Sequence, residues 1–396
     1  MNILNQKETK KNIESENVTR NSNFELLRIL SMLFIVIYHM IIHGRVFEDI
    51  SSNSVKEILT IIEFLIIIHV NLFVLITGYF QSESNFKQSK FWSIINSSLF
   101  YKLIIIIVLS LFGIISLNKL TILKELFIIN LSQYWFIKVY LFLYCLSPFI
   151  NILIRNITRK NYQKLIIVLF VLFSVIPYIT GEQGFENNGY TLYNFIFLYL
   201  VGGYLRKYPL ENSYFMRRFS KNLVIIFFVS IYIFAAMLNY SISKTCMSLL
   251  NINTIMNEIS NNVLRMTLMY SNPLIIIQSI TFFYIFKMLK FKSSFVNSIS
   301  RTTLGVYLIH DNNYIRKILY DCINIHNSTI DSYWFILYLL LMSIIVFVCC
   351  SIIEWLRQLV FKFIYTRKVS KKIRDNYYNW IHSIRIEKIE NAQMKK

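Results

Sequence analysis

Residues 24–43 read Phe24-Glu-Leu-Leu-Arg28-Ile-Leu-Ser-Met-Leu-Phe-Ile-Val-Ile-Tyr38-His39-Met-Ile-Ile-His43, an apolar run with a cation near one end and histidines near the other. About twenty apolar residues cross a hydrocarbon core of about 30 Å as an α-helix. Lipid offers no partner to a free amide or carbonyl, so such a run must be a helix or part of a closed barrel, and unbroken Ile and Leu select the helix. Comparable windows recur near 58–80, 96–117, 134–154, 165–179, 192–205, 222–240, 272–289, 302–318 and 332–356. The expected fold class is therefore all-α, a polytopic membrane helix bundle of about ten transmembrane helices. The window at 165–179 is short for a bilayer and is expected to tilt or to extend into its flanks.

Composition agrees. Hydrophobic residues make up 55% of the 396 residues, and the mean hydropathy is +0.50. The excess of 41 Lys and Arg over 21 Asp and Glu does not imply nucleic acid, because the basic residues lie in short connections between apolar runs. With a cytoplasmic N-terminus, 19 basic residues fall in inside loops, 8 in the alternate loops, and 11 more after the last window. That asymmetry is what the positive-inside rule produces and places both termini in the cytoplasm of a multi-pass cell-membrane protein. The chain divides into a polar tail at 1–23, a transmembrane domain at 24–360 and a basic tail at 361–396, the tails facing anionic membrane lipids. The polar first 23 residues show no cleavable signal. Five cysteines show neither metal spacing nor a disulfide framework, and no metal site is expected.

An ionisable group inside a span costs at least about 2.5 kcal/mol, so each is a functional candidate. Arg28 and His39 are eleven residues apart, which returns His39 to within about 20° of Arg28 on the helix, about 16 Å further along the axis. Glu25 and His43 extend the same stripe. Taken singly, Arg28 also reads as an anchor that snorkels to head groups, and His39 as an interfacial histidine bonded to a carbonyl. Late in the chain, His310 and Asp311 are adjacent; the carboxylate can orient the imidazole, although neighbouring helical residues point about 100° apart. Tyr134, Trp135 and Lys138 combine an aromatic belt with a cation, and Trp135 and Lys138 share a helix face. Glu63 and His69 are six apart and on different faces, so His69 reads as a satisfied packing residue. His43 and Glu48 stand five apart, with four residues between them, in an outer loop and carry no weight as an acyltransferase box. Phosphate loops, dinucleotide fingerprints, HExxH, CxxC and Gly-x-Ser-x-Gly are absent from the sequence.

The run from Phe24 to Arg28 with His39, then Asn71 to Phe80 containing Thr77-Gly78, Tyr134-Trp-Phe, Leu146-Ser-Pro148 and Thr303-Leu-Gly-Val-Tyr-Leu-Ile-His310-Asp311 resembles the membrane acyltransferase-3 family over about 24–360. The branch it resembles acts on bacterial capsular, exopolysaccharide or other envelope glycans. The resemblance implies ten spans, acetyl-CoA as co-substrate with no bound cofactor, and a hydroxyl acceptor at the outer face; it carries function onto Arg28 and His39. Where many members have Arg-x-x-Arg, this chain has Lys87-Gln-Ser-Lys90, which keeps the charge and loses bidentate phosphate recognition. The expected mechanism docks the CoA phosphates near Lys87, Lys90 and Arg155, with Arg28 holding the donor arm. His39 then acts as general base or nucleophile. Tyr134, Trp135, Lys138, Tyr307, His310 and Asp311 are expected on the acceptor side, where a glycan or lipid-linked glycan binds. The rival reading is a transporter or flippase of a lipid-linked glycan, with the same stripe lining a translocation path.

Overall fold

The computed structural model describes residues 21–115, 134–180, 189–250, 252, 254–323, 325 and 329–366. Of these, 83% are helical and none is in a strand, as the apolar windows require. Most of both expected tails, and the loop carrying Lys119 and Lys124, lie outside the described residues.

Among the described residues, seven stretches are long and apolar enough to cross a membrane. They are α1 (Asn23–Ile42), the pair α2 (Asn53–Ile66) and α3 (His69–Gln81), α4 (Gln88–Leu111), α5 (Trp135–Asn156), α6 (Arg159–Phe170) with its continuation to Thr180, α8 (Lys221–Leu249), and α14 (Tyr333–Thr366). The short window at 165–179 does extend into its flanks: the span Arg159–Thr180 has 22 residues and passes through a π turn at Val171–Val175.

The remaining three windows fold as shorter pieces, so among the described residues seven of the ten expected spans meet the length and apolarity of a crossing helix. These are α7 (Leu192–Lys207), α10 (Pro273–Met288), and a helix broken into α12 (Thr303–His310) and α13 (Asn313–Cys322). Between them lie α9 (Thr254–Thr267) and α11 (Ser294–Ser300). Broken helices survive in a bilayer only where the freed backbone groups find partners inside the protein. At the α12–α13 break the Tyr134 hydroxyl donates to the Leu308 carbonyl at 2.7 Å and accepts from Asn312 Nδ2 at 3.0 Å. Asn312 Oδ1 in turn caps the Tyr314 amide at 3.0 Å. At the α2–α3 break, Gln278 Nε2 donates to the Phe64 carbonyl at 2.9 Å and the Tyr232 hydroxyl to the Leu65 carbonyl at 2.7 Å. Within α5, Pro148 cannot serve the Tyr144 carbonyl one turn back; the Ser147 hydroxyl takes it instead, at 2.7 Å.

Lipid tails are as apolar as leucine, so close backbone approach rather than hydrophobic exclusion holds such a bundle together. Helices α3 and α7 pack most extensively, and glycine makes this possible. A Cβ on Gly78 would lie 2.3 Å from the Tyr199 carbonyl oxygen, and one on Gly202 would lie 2.4 Å from that of Leu75. Helix α1 sits at the centre of the bundle, packed against α3, α10, α11, α12 and α14. Its start is pinned by Asn23 Nδ2 donating to the Phe286 carbonyl at 2.9 Å.

Candidate active site

Beside α1 runs a cavity of about 650 Å³. Its wall takes residues of α1 from Glu25 and Arg28 at one end to His39 and His43 at the other, a distance of about 27 Å at the helical rise. Both members of the sequence stripe therefore face one continuous space.

One end is cationic. Arg28 is paired with Glu25, whose second oxygen accepts from the Ser300 hydroxyl, and the guanidinium lies 5.7 Å from the Phe80 ring centre. Lys90 and Arg301 line the same end. The pair with Glu25 fixes Arg28 in orientation, while its 23% exposure leaves it accessible to an anion.

The other end is a cluster of short side chains around a half-buried His39, with His310 and Asp311 buried behind it. His39 Nδ1 lies 3.1 Å from His310 Nε2 and 3.2 Å from Asp311 Oδ1. His310 Nδ1 lies 2.6 Å from the Val306 carbonyl one turn earlier. A carbonyl only accepts, so His310 carries its proton on Nδ1 and its Nε2 is the acceptor. Both neighbours of His39 Nδ1 are then acceptors, which puts the His39 proton on Nδ1 and leaves Nε2 as the basic, nucleophilic nitrogen. Arg316 holds Asp311 through Nε at 3.0 Å and Nη2 at 2.6 Å, both to Oδ1. The Tyr320 hydroxyl donates to the His39 carbonyl at 3.0 Å and fixes the backbone beneath the ring. One ligand atom from each of His39, His43 and Asp311 lies within 4.8 Å of the others, a spacing that can hold a metal ion. The Arg316 guanidinium already occupies Asp311 Oδ1, and a fixed positive charge there opposes a second cation. The set is built as a hydrogen-bonded relay onto one imidazole.

A family model described as an acyltransferase domain matches residues 21–355, which include both ends of this cavity and every helix that lines it. The chain belongs to the acyltransferase-3 family. It is accordingly a membrane protein carrying an acyltransferase domain. No curated protein and no solved structure matches it.

In this acyltransferase-3 chain the predicted residues separate into three groups. Arg28, His39, Lys90, Trp135, Tyr307 and Asp311 line the cavity, and His310 is joined to it through His39. Lys87 and Arg155 are exposed away from it; Arg155 lines a separate hollow of about 380 Å³ with Arg206 and Lys207. Tyr134 is buried between the Leu308 carbonyl and the Asn312 side chain, and Lys138 is exposed, so of the expected pair Trp135 and Lys138 only Trp135 opens on the cavity. Helix α5 turns Trp135 inward, and Lys138, three residues on, lies at the edge of that arc.

Three contributors were missed. Arg301 and Arg316 counted only as loop charges in the sequence, where nothing signals that the chain folds them back onto the cavity. His69 reads as a satisfied packing residue in the sequence; in the structure it is buried, lines the cavity, and has no hydrogen-bond partner on either ring nitrogen among the described residues.

Proposed function

We propose that this protein transfers an acetyl group from cytoplasmic acetyl-CoA to a hydroxyl of an extracytoplasmic cell-surface polysaccharide or its lipid-linked precursor. The observation that carries this reading is the continuous cavity along α1, with cations at one end and an oriented imidazole at the other. With both termini cytoplasmic, Arg28, Lys90 and Arg301 face the inner side, where the phosphates of CoA would meet them. The pantetheine arm would follow the apolar middle of the cavity past Met32 and Ile35 toward His39.

At His39 the basic Nε2 accepts the proton of the acceptor hydroxyl as that oxygen forms a bond to the thioester carbonyl carbon. The carbon–sulfur bond breaks, and the leaving thiolate takes the proton from Nε2 to give free CoA. The same nitrogen serves if His39 first takes the acetyl group itself and passes it on. Asp311 and His310 act through Nδ1: they hold the tautomer that makes Nε2 reactive, and Asp311 stabilises the positive charge the ring acquires. Arg316 positions Asp311.

The test compares surface polysaccharide from cells carrying the wild-type chain, the His39→Ala chain or none, by release of acetate with mild base. Acetate present with wild type and missing with His39→Ala is expected. Equal acetate in all three, with glycan export lost when the chain is absent, would favour a transporter of lipid-linked glycan instead.

A further inference from the structure

The relay on His39 leaves His69 unused. His69 opens α3 at the break in the second span, is 1% exposed and lines the cavity. Neither of its ring nitrogens has a hydrogen-bond partner among the described residues. A buried imidazole with neither nitrogen bonded loses the hydrogen bonds it made with water, a loss that a ligand hydrogen-bonding inside the cavity would recover.

The rings around it indicate which ligand. His69 lies 5.2 Å from Tyr38 and 5.6 Å from Tyr270, centre to centre. Tyr270 continues the wall to Tyr190 at 5.0 Å and to Trp135 at 6.0 Å with the ring planes 22° apart. Trp135 and Tyr190 close it at 4.4 Å. All of these side chains line the cavity, and Tyr38 joins the wall to His39, 6.3 Å away. An aromatic wall with one neutral hydrogen-bonding group suits a sugar ring, whose C–H face is apolar and whose hydroxyls project from the rim. An acyl chain would leave His69 unsatisfied. An anionic group would need a cation, and the nearest one in the relay, Arg316, is committed to Asp311.

We propose that His69 and the wall formed by Trp135, Tyr190 and Tyr270 are the subsite for the acceptor's sugar ring, His69 bonding one hydroxyl so that a neighbouring hydroxyl is presented to His39. This rests on the reading of the protein as a glycan acyltransferase. His69 is a positioning residue, so its loss changes acceptor use without changing donor use.

The experiment uses full-length protein in lipid nanodiscs, acetyl-CoA, and polysaccharide from cells lacking this chain, stripped of esters by mild base. His69→Phe keeps the ring volume and removes the hydrogen bond. It should raise KM for the polysaccharide about tenfold and leave KM for acetyl-CoA unchanged. His69→Gln, which can still donate and accept, should restore most of the loss. Tyr190→Ala, a partly exposed ring removed without emptying the core, should also raise only the acceptor KM. An unchanged acceptor KM in His69→Phe and Tyr190→Ala, or an equal rise in both KM values, overturns the proposal. Direct binding of radiolabelled stripped polysaccharide separates the two claims. If wild type transfers no acetyl yet binds the polysaccharide, and His69→Phe does not bind it, the subsite stands and the acyl-transfer reading falls. If wild type does not bind the polysaccharide at all, the subsite falls.

Discussion

The two ends of the cavity are built on opposite principles. At the end near Arg28 the functional groups are long cationic side chains, Arg28, Lys90 and Arg301, with Arg28 held by a single carboxylate. At the other end the side chains are short: His39 is half-buried, and the buried His310 and Asp311 both meet it with atoms 3.1–3.2 Å apart. Long flexible cations recognise charge and tolerate small displacements. A relay of rings and a carboxylate works only in one geometry. The cation end should therefore govern donor affinity and degrade gradually, whereas the histidine end should govern turnover and fail abruptly.

The largest effect belongs to His39→Ala, which should lower acetyl transfer by about 10²–10⁴-fold with KM for acetyl-CoA unchanged, measured on nanodisc protein. A large rise in donor KM would erase the division between the ends. Next is Asp311→Asn, whose amide can donate toward His39 Nδ1 and favour the wrong tautomer. A fall in kcat of roughly tenfold to a hundredfold, with both KM values kept, is expected; full activity would show that His310 alone sets the tautomer. At the opposite end Arg301→Gln should raise KM for acetyl-CoA about tenfold and leave kcat alone, and steady-state kinetics over a range of donor concentrations reads both. The smallest effect is that of Lys90→Ala, an exposed cation. A rise in donor KM of about twofold to fivefold is expected at low salt, shrinking as ionic strength rises.

The same contrast explains what could be read from the sequence. Arg28 and His39 lie on one helix, so their eleven-residue spacing fixes their common face, and the structure finds both on the cavity. The helical character of the chain followed from the lack of backbone partners in lipid. His310 meets His39 across 271 residues of sequence, and no periodicity reports such a contact. Arg316 reaches Asp311 because the helix breaks at Asp311 and Asn312, where a hydropathy window shows one continuous span. His69 departs from its sequence reading for a related reason: six residues from Glu63 means a different face only along an unbroken helix, and the chain turns at Ile67 and Ile68 between them. Lys138 and Arg155 show the converse, since a cation near an aromatic belt or at an expected cytoplasmic edge need not face the site.

The central claim is that a single passage beside α1 carries the acetyl group from the cation end to His39. Sealed right-side-out membrane vesicles loaded with acetyl-labelled acetyl-CoA, with stripped polysaccharide outside, test it through the label that appears on the external polysaccharide. Ile35 lines the passage between Arg28 and His39, and a tryptophan there would fill it. Label on the outer polysaccharide with the wild-type chain and none with Ile35→Trp is the predicted result. Labelling that requires acetyl-CoA outside the vesicles, or that proceeds at the wild-type rate in Ile35→Trp, would contradict the account.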